Sequence, residues 1–321
     1  MELGRILYFN HDNPHPSGGV QTIYAHVAHL NRNGFPAFVV HHSPGFRPAW
    51  FAEKVPTLHY GAGIQISSTD VVVVPEDMPI LDHLKNVNVR KIVFCQNHFY
   101  AFNALPPGAT WRSLGVSHVL SCSDVIADFL QTNLGWANVP VVHCAIDQQL
   151  FKPGAKKLQI AYMPRKSAID ASFVRGFFTA LGGPTAQVNW IEISGLPQDR
   201  VAAILAESAI FLSLSHLEGL GLPPIEAMAS GCAVVGYHGY GGLEYATHDN
   251  GFWCEEGNPV ACANMLRSVV EMILRNDPKV RNVIEQGMQT AARYTAQRQE
   301  AEIVQFMKSV LSGPLPPVLM S

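Results

Sequence analysis

Charge is scarce in this chain. Only 15% of its 321 residues are Asp, Glu, Lys or Arg, and 22 basic side chains nearly balance 25 acidic ones, for a formal net charge of −3. That balance removes any global pull toward nucleic acid or anionic lipid and leaves such contacts to local patches. Long apolar runs are missing too. No segment approaches the roughly 18 apolar residues of a membrane-spanning helix, and the apolar stretch 5–9 yields to polar residues too soon for a secretory signal. The six cysteines, at 95, 122, 144, 232, 254 and 262, form no C-x2-C pair. Several sit in apolar, strand-like runs, so they read as buried thiols of a reducing, cytoplasmic compartment and not as a zinc site or disulfide frame. No D-x-D carboxylate pair is present, and the loop after the first apolar run is not G-x-G-x-x-G. The expectation is therefore no resident metal, no dinucleotide cofactor and no nucleic-acid partner. What the chain does have is apolar substance: it is 48% hydrophobic and long enough for about two domains.

The chain is organised around residues 218–231, Glu-Gly-Leu-Gly-Leu-Pro-Pro-Ile-Glu-Ala-Met-Ala-Ser-Gly. Short apolar runs of strand length, 210–214 and 232–235, flank it. Two buried runs around one short helix read as a β-α-β unit of a parallel sheet. Pro223 and Pro224 suit a first helical turn, and Gly231 suits the cap beyond the last one. Gly219 and Gly221 let backbone amides approach a ligand, and a helix N-terminus favours negative charge. Yet Glu218 and Glu226 stand in the same segment. Amides that hold a phosphate beside carboxylates that accept from hydroxyls suit a nucleotide sugar. The plainer reading makes Glu218 a solvated loop acid and Glu226 a favourable first-turn charge.

This stretch, with its E-x7-E spacing, resembles the donor-site signature of the retaining GT-B glycosyltransferases of the GT4 family. The resemblance implies an α/β chain of two Rossmann-like domains with parallel sheets facing across a cleft. It implies transfer of a sugar from a nucleotide diphosphate sugar to a hydroxyl acceptor (a glycan, a lipid-linked or a small molecule), without a metal. Glu218 would hold hydroxyls of the transferred sugar and Glu226 the ribose. Amides around Gly219, Leu220, Gly221 and Leu222 would meet the diphosphate.

Along the chain, 5–9 reads as the first strand, and Ser17-Gly18-Gly19 opens a helix over 20–33. Gly18 and Gly19 match the family's Gly-Gly turn facing the donor, or form a plain tight turn. Runs 37–42, 71–74 and 91–96 read as further buried strands. His98, just beyond the last of these, matches the family's histidine near the transferred sugar; the other reading is a histidine satisfied by nearby backbone. A strand near 119–123, a helix over 124–133 and a strand over 139–143 follow. The F-x-P sequence Phe151-Lys152-Pro153 resembles the family's interdomain link, which predicts an N-terminal, acceptor-side domain over 1–153 and a donor domain over 154–290. The second domain opens with a strand over 159–163. Arg165 then occupies the family's diphosphate-binding position, and adjacent Lys166 either takes the role of the usual later lysine or points to solvent. A strand over 188–193 and a helix over 198–207 precede the central unit. Gly241 and Gly242, in a Gly-Gly-Leu-Glu run where the family often has Gly-Gly-x-Pro-Glu, would present amides to phosphate or sugar. Amphipathic helices are expected over 258–275, 277–290 and 296–312. By resemblance, residues 291–321 comprise a last helix that crosses back to the first domain and a loose, proline-rich tail from 313. A peripheral membrane contact is compatible with this reading, and so is a role in polysaccharide or glycoconjugate synthesis. A rival of another class is a non-catalytic GT-B subunit that binds nucleotide sugar or glycan in support of a partner enzyme.

Overall fold

The computed structural model describes residues 4–51, 53–61, 63–183 and 188–313. The tail expected beyond 313 lies outside the described residues. The chain divides into two compact units, Met1–Ala145 with Ala296–Ser321, and Ile146–Thr295.

The first unit begins with β1 (Ile6–Phe9), α1 (Gly18–Arg32), β2 (Ala37–His41), β3 (Thr57–His59) and β4 (Val71–Pro75). It continues with α2 (Leu81–Leu84), β5 (Arg90–Cys95), β6 (Val116–Ser121) and α3 (Asp124–Leu134). The six strands form one parallel sheet in the order β3-β2-β1-β4-β5-β6. β1, β4 and β5 are buried at every position, the continuous apolar pattern of strands covered on both faces. α3 is bounded by local chemistry: the Ser123 hydroxyl accepts from Ile126 N–H at 3.3 Å, and Gly135 takes the left-handed conformation at the other end.

The second unit runs β7 (Lys157–Tyr162), α4 (Ala168–Ala180), β8 (Asn189–Glu192), α5 (Gln198–Glu207), β9 (Ser208–Glu218) and α6 (Leu222–Ala229). Then come β10 (Ala233–Tyr240), β11 (Phe252–Trp253), α7 (Pro259–Leu274) and α8 (Pro278–Ala291). Its sheet is also parallel, in the order β11-β10-β9-β7-β8. Ile160, Leu212 and Val235 of its strands form one core with Val174 and Phe178 of α4 and Leu266 and Val269 of α7. The last helix, α9 (Ala296–Ser312), belongs to the first unit and packs on α1 there, with Gln299 Oε1 3.1 Å from His29 Nε2.

α6 ends in a Schellman arrangement. Gly231 N–H donates to Met228 carbonyl and Cys232 N–H to Ala227 carbonyl, at 2.9 and 3.0 Å, with Gly231 at φ 74°. Elsewhere the structure departs from the sequence expectations. β9 and β10 both extend well past the apolar runs 210–214 and 232–235, because they pair with each other as far as Tyr240↔Glu218. Glu218 therefore closes a strand instead of sitting in a loop. The run 139–143 is not a strand of the sheet: it makes one parallel bridge, Val141 to Ser121, next to Pro140, which has no N–H to give. Gly18 and Gly19 are the first two residues of α1 and not a turn, and neither has positive φ.

Candidate active site

Open parallel sheets bind ligands beyond the carboxyl ends of their strands, where the strand order reverses. In the second unit that point lies between β7 and β9. Arg165 and Lys166 follow β7, and Glu218 is the last residue of β9. The segment carrying the two cations is tied down by Ser167, whose hydroxyl donates to the Leu214 carbonyl of β9 at 2.7 Å. Lys166 Nζ then reaches Glu218 Oε2 at 2.8 Å, with side chains 28% and 22% exposed. Lys166 thus turns toward the site and not simply to water. Arg165 is exposed, and its guanidinium makes no hydrogen bond or ion pair among the described residues.

The two glycine segments meet at Glu218. A Cβ on Gly241 would stand 2.5 Å from the Glu218 carbonyl oxygen and 2.5 Å from the Gly219 carbonyl carbon, so nothing larger fits without backbone movement. Gly241 and Gly242 open a 3-10 turn, Gly241–Glu244, directly after β10. Tyr245 closes the arrangement: its buried hydroxyl donates to the Gly221 carbonyl at 2.9 Å, and a Cβ on Gly242 would lie 3.2 Å from that oxygen. Gly221 is the N-cap of α6 at φ 85°, and Leu222 is the helix's first residue. Leu220 is buried and anchors the turn. The amides of 219–222 thus lie on a braced turn at a helix N-terminus, where the dipole favours an anion.

Glu226 sits on α6, partly buried, and burial pushes its carboxyl up to about 7. Its side chain makes no hydrogen bond or ion pair among the described residues. A carboxyl perturbed in this way is a candidate for a functional role.

His98, Gly18 and Gly19 belong to the first unit. His98 starts a 3-10 turn, His98–Tyr100, capped by Asn97, whose side chain accepts from Phe99 N–H at 3.1 Å. The His98 ring lies between Phe99 and Phe129, with centroids 4.1 and 4.9 Å away. Its Nδ1 is buried without a hydrogen-bond partner among the described residues, and burial lowers its pKa. Gly19 faces the side chain of Gln96, two positions before His98: a Cβ at Gly19 would be 3.4 Å from the amide. Sequence reasoning missed Ser167, Tyr245 and Glu76, which brace these segments. Each is an ordinary polar residue whose importance arises from a partner distant in the chain.

Residues 183–289, which include α6, β10 and the 3-10 turn, match the family model of glycosyl transferases group 1. Over 240 residues the chain is 30% identical to an alpha-1,6-glucosyltransferase of Actinobacillus pleuropneumoniae serotype 7 (strain AP76), covering 71% of this chain and 72% of that one. The chain belongs to the group 1 glycosyltransferases. A second relative, an N-acetyl-alpha-D-glucosaminyl L-malate synthase of Bacillus anthracis, is 33% identical over 110 residues, 34% of this chain and 27% of that protein. Among solved structures, this glycosyltransferase resembles a sucrose-phosphate synthase from Thermosynechococcus elongatus, with TM-score 0.73 and 11% identity over 96% of this chain and 99% of the other. It also resembles Anabaena HepE in complex with UDP, with TM-score 0.70 and 15% identity over 95% and 100%. The fold is GT-B, two Rossmann-like α/β domains with parallel sheets. No helix among the described residues is long and apolar enough to cross a membrane.

Proposed function

We propose that this glycosyltransferase is a GT4-type enzyme. It moves a sugar from a nucleotide diphosphate sugar to a hydroxyl acceptor, with retention of configuration and without a metal, in polysaccharide or glycoconjugate synthesis. The observation that carries the reading is the Lys166–Glu218 ion pair at the strand-order reversal, followed on α6 by Glu226, whose raised carboxyl makes no side-chain hydrogen bond or ion pair among the described residues. In this reading the amides of 219–222 and the cations of Arg165 and Lys166 receive the diphosphate. They stabilise the charge that develops as it departs. Glu226 accepts from ribose hydroxyls and Glu218 from hydroxyls of the sugar. Before the donor binds, Lys166 balances Glu218; afterwards it is shared with the diphosphate. Gly241 and Gly242 add amides beside the sugar, and His98, Gly18 and Gly19 keep the roles that the family resemblance gives them. Support for the donor class comes from Anabaena HepE, whose structures hold UDP, UDP with glucose, and UDP-glucose.

Calorimetric titration with UDP tests the separation of roles. Glu226→Ala should weaken UDP by about 1.5–3 kcal/mol, the range for a lost charged hydrogen bond. Glu218→Ala should leave UDP affinity nearly unchanged while transfer falls, because UDP has no sugar for it to hold. Equal loss of UDP binding in both variants, with intact circular dichroism, would refute the assignment.

A further inference from the structure

The parallel ladder between β4 and β5 ends with Pro75 opposite Phe94. Just past that end, Glu76 supplies the acceptors for the next amides of the β5 side. Its Oε2 accepts from Gln96 N–H at 2.9 Å and its Oε1 from Asn97 N–H at 2.8 Å. Two successive amides held by one carboxyl group fix the direction in which the chain leaves the strand. The consequences run both ways from the grip. Asn97 caps the 3-10 turn that carries His98, and the Gln96 side chain lies against Gly19 at the start of α1. Glu76 follows β4, one of the two strands that flank the point where the strand order of the first unit reverses, so the grip lies next to where such sheets bind ligands.

Glu76 is a costly residue for the task. It is 5% exposed, and burial pushes its carboxyl up to about 8 in spite of the two amides. Closing the edge of a ladder does not require a buried acid, since shorter polar side chains or water satisfy such amides elsewhere. What the longer side chain adds is a rigid, two-point hold on the peptide that precedes His98.

We propose that Glu76 is a positioning residue for glycosyl transfer, setting the place of the His98 ring and the Gln96 side chain through its hold on the Gln96 and Asn97 amides. The role rests on the reading of His98 given under Proposed function. Misplacement of a reacting group by about 1 Å costs on the order of 100-fold in rate, and a partial loss of the hold should cost about 10-fold.

Glu76→Gln is the direct test, because its amide keeps one acceptor oxygen but turns an NH2 group on the other backbone N–H. In histidine-labelled protein, the ring resonances of His98 should shift. With UDP-glucose as the donor probe, kcat should fall about 10-fold while KM for the donor stays within twofold. In a His98→Ala background, Glu76→Gln should change kcat by less than twofold, since coupled residues do not add. Glu76→Asp, which keeps the carboxyl but shortens the reach, carries the same comparison if the glutamine variant does not fold. Unmoved His98 resonances, or the same fold-loss in both backgrounds, would overturn the proposal. Full activity of His98→Ala would sink the reading of His98 itself. A slow His98→Ala beside a wild-type rate in Glu76→Gln would sink the role of Glu76 alone.

Discussion

Replacing Lys166 by Met separates what the ion pair does for folding from what it does for catalysis. At 2.8 Å and an effective dielectric of about 20, the gross attraction between Lys166 and Glu218 is about 6 kcal/mol. Most of that is offset by lost hydration and by freezing two long side chains, and each side chain keeps about a quarter of its surface in water. Pairs of this kind contribute about 0.2–1 kcal/mol net to stability. Glu218 in the variant stays partly solvated, so no fully buried charge is stranded. Unfolding of Lys166→Met should therefore move by less than about 1 kcal/mol. Catalysis should respond more strongly. A cation that bonds the departing diphosphate is worth about 1.5–3 kcal/mol as a charged hydrogen bond, or roughly 10- to 150-fold in kcat. The assays are urea denaturation of both proteins and turnover at saturating donor. A kcat within twofold of wild type would remove Lys166 from the mechanism, and a stability loss above about 3 kcal/mol would show that the pair is structural.

The other expectations are quickly stated. Gly241→Ala should destabilise by about 1–3 kcal/mol, because its Cβ would meet backbone atoms at 2.5 Å; an unchanged urea midpoint would contradict that packing. Glu226 has a folded pKa raised from 4.5 to about 7, so the folded state holds that proton longer, and this group's contribution to stability falls as pH rises through that window. Glu226→Gln should thus match wild type in thermal midpoint near pH 4.5 and exceed it near pH 8. Wild-type affinity for UDP should also drop below pH 7, as the acceptor carboxylate protonates, by more than it does in Glu226→Gln; identical pH dependence in the two proteins would reject Glu226 as a ribose ligand. Transfer should persist in EDTA, and strict dependence on added manganese or magnesium would overturn leaving-group stabilisation by Arg165, Lys166 and amides.

Much of this protein follows from local sequence. The two prolines and Gly231 set the bounds of α6, since a first turn tolerates missing N–H groups and a Schellman cap needs a left-handed residue. α7, α8 and α9 lie within a residue or so of the ranges expected from their amphipathic pattern, because a helix's hydrogen bonds and its apolar stripe are both local. The carboxylates of Glu218 and Glu226 and the glycines between them were likewise legible as a candidate site. Tertiary structure decided the remainder. β9 continues through polar Ser215 and His216 because β10 lies beside it, and β3 is a short edge strand that owes its place to pairing with β2. Lys166 became a partner of Glu218, and Gly241 a close neighbour of Glu218 and Gly219, only when the ends of β7, β9 and β10 came together. Glu76 shows no pattern in sequence at all; its meaning lies in two amides of another strand's end. Periodicity and capping are written within a few residues of chain, whereas a buried carboxyl, a salt bridge or a tight backbone approach depends on which distant segments share a sheet.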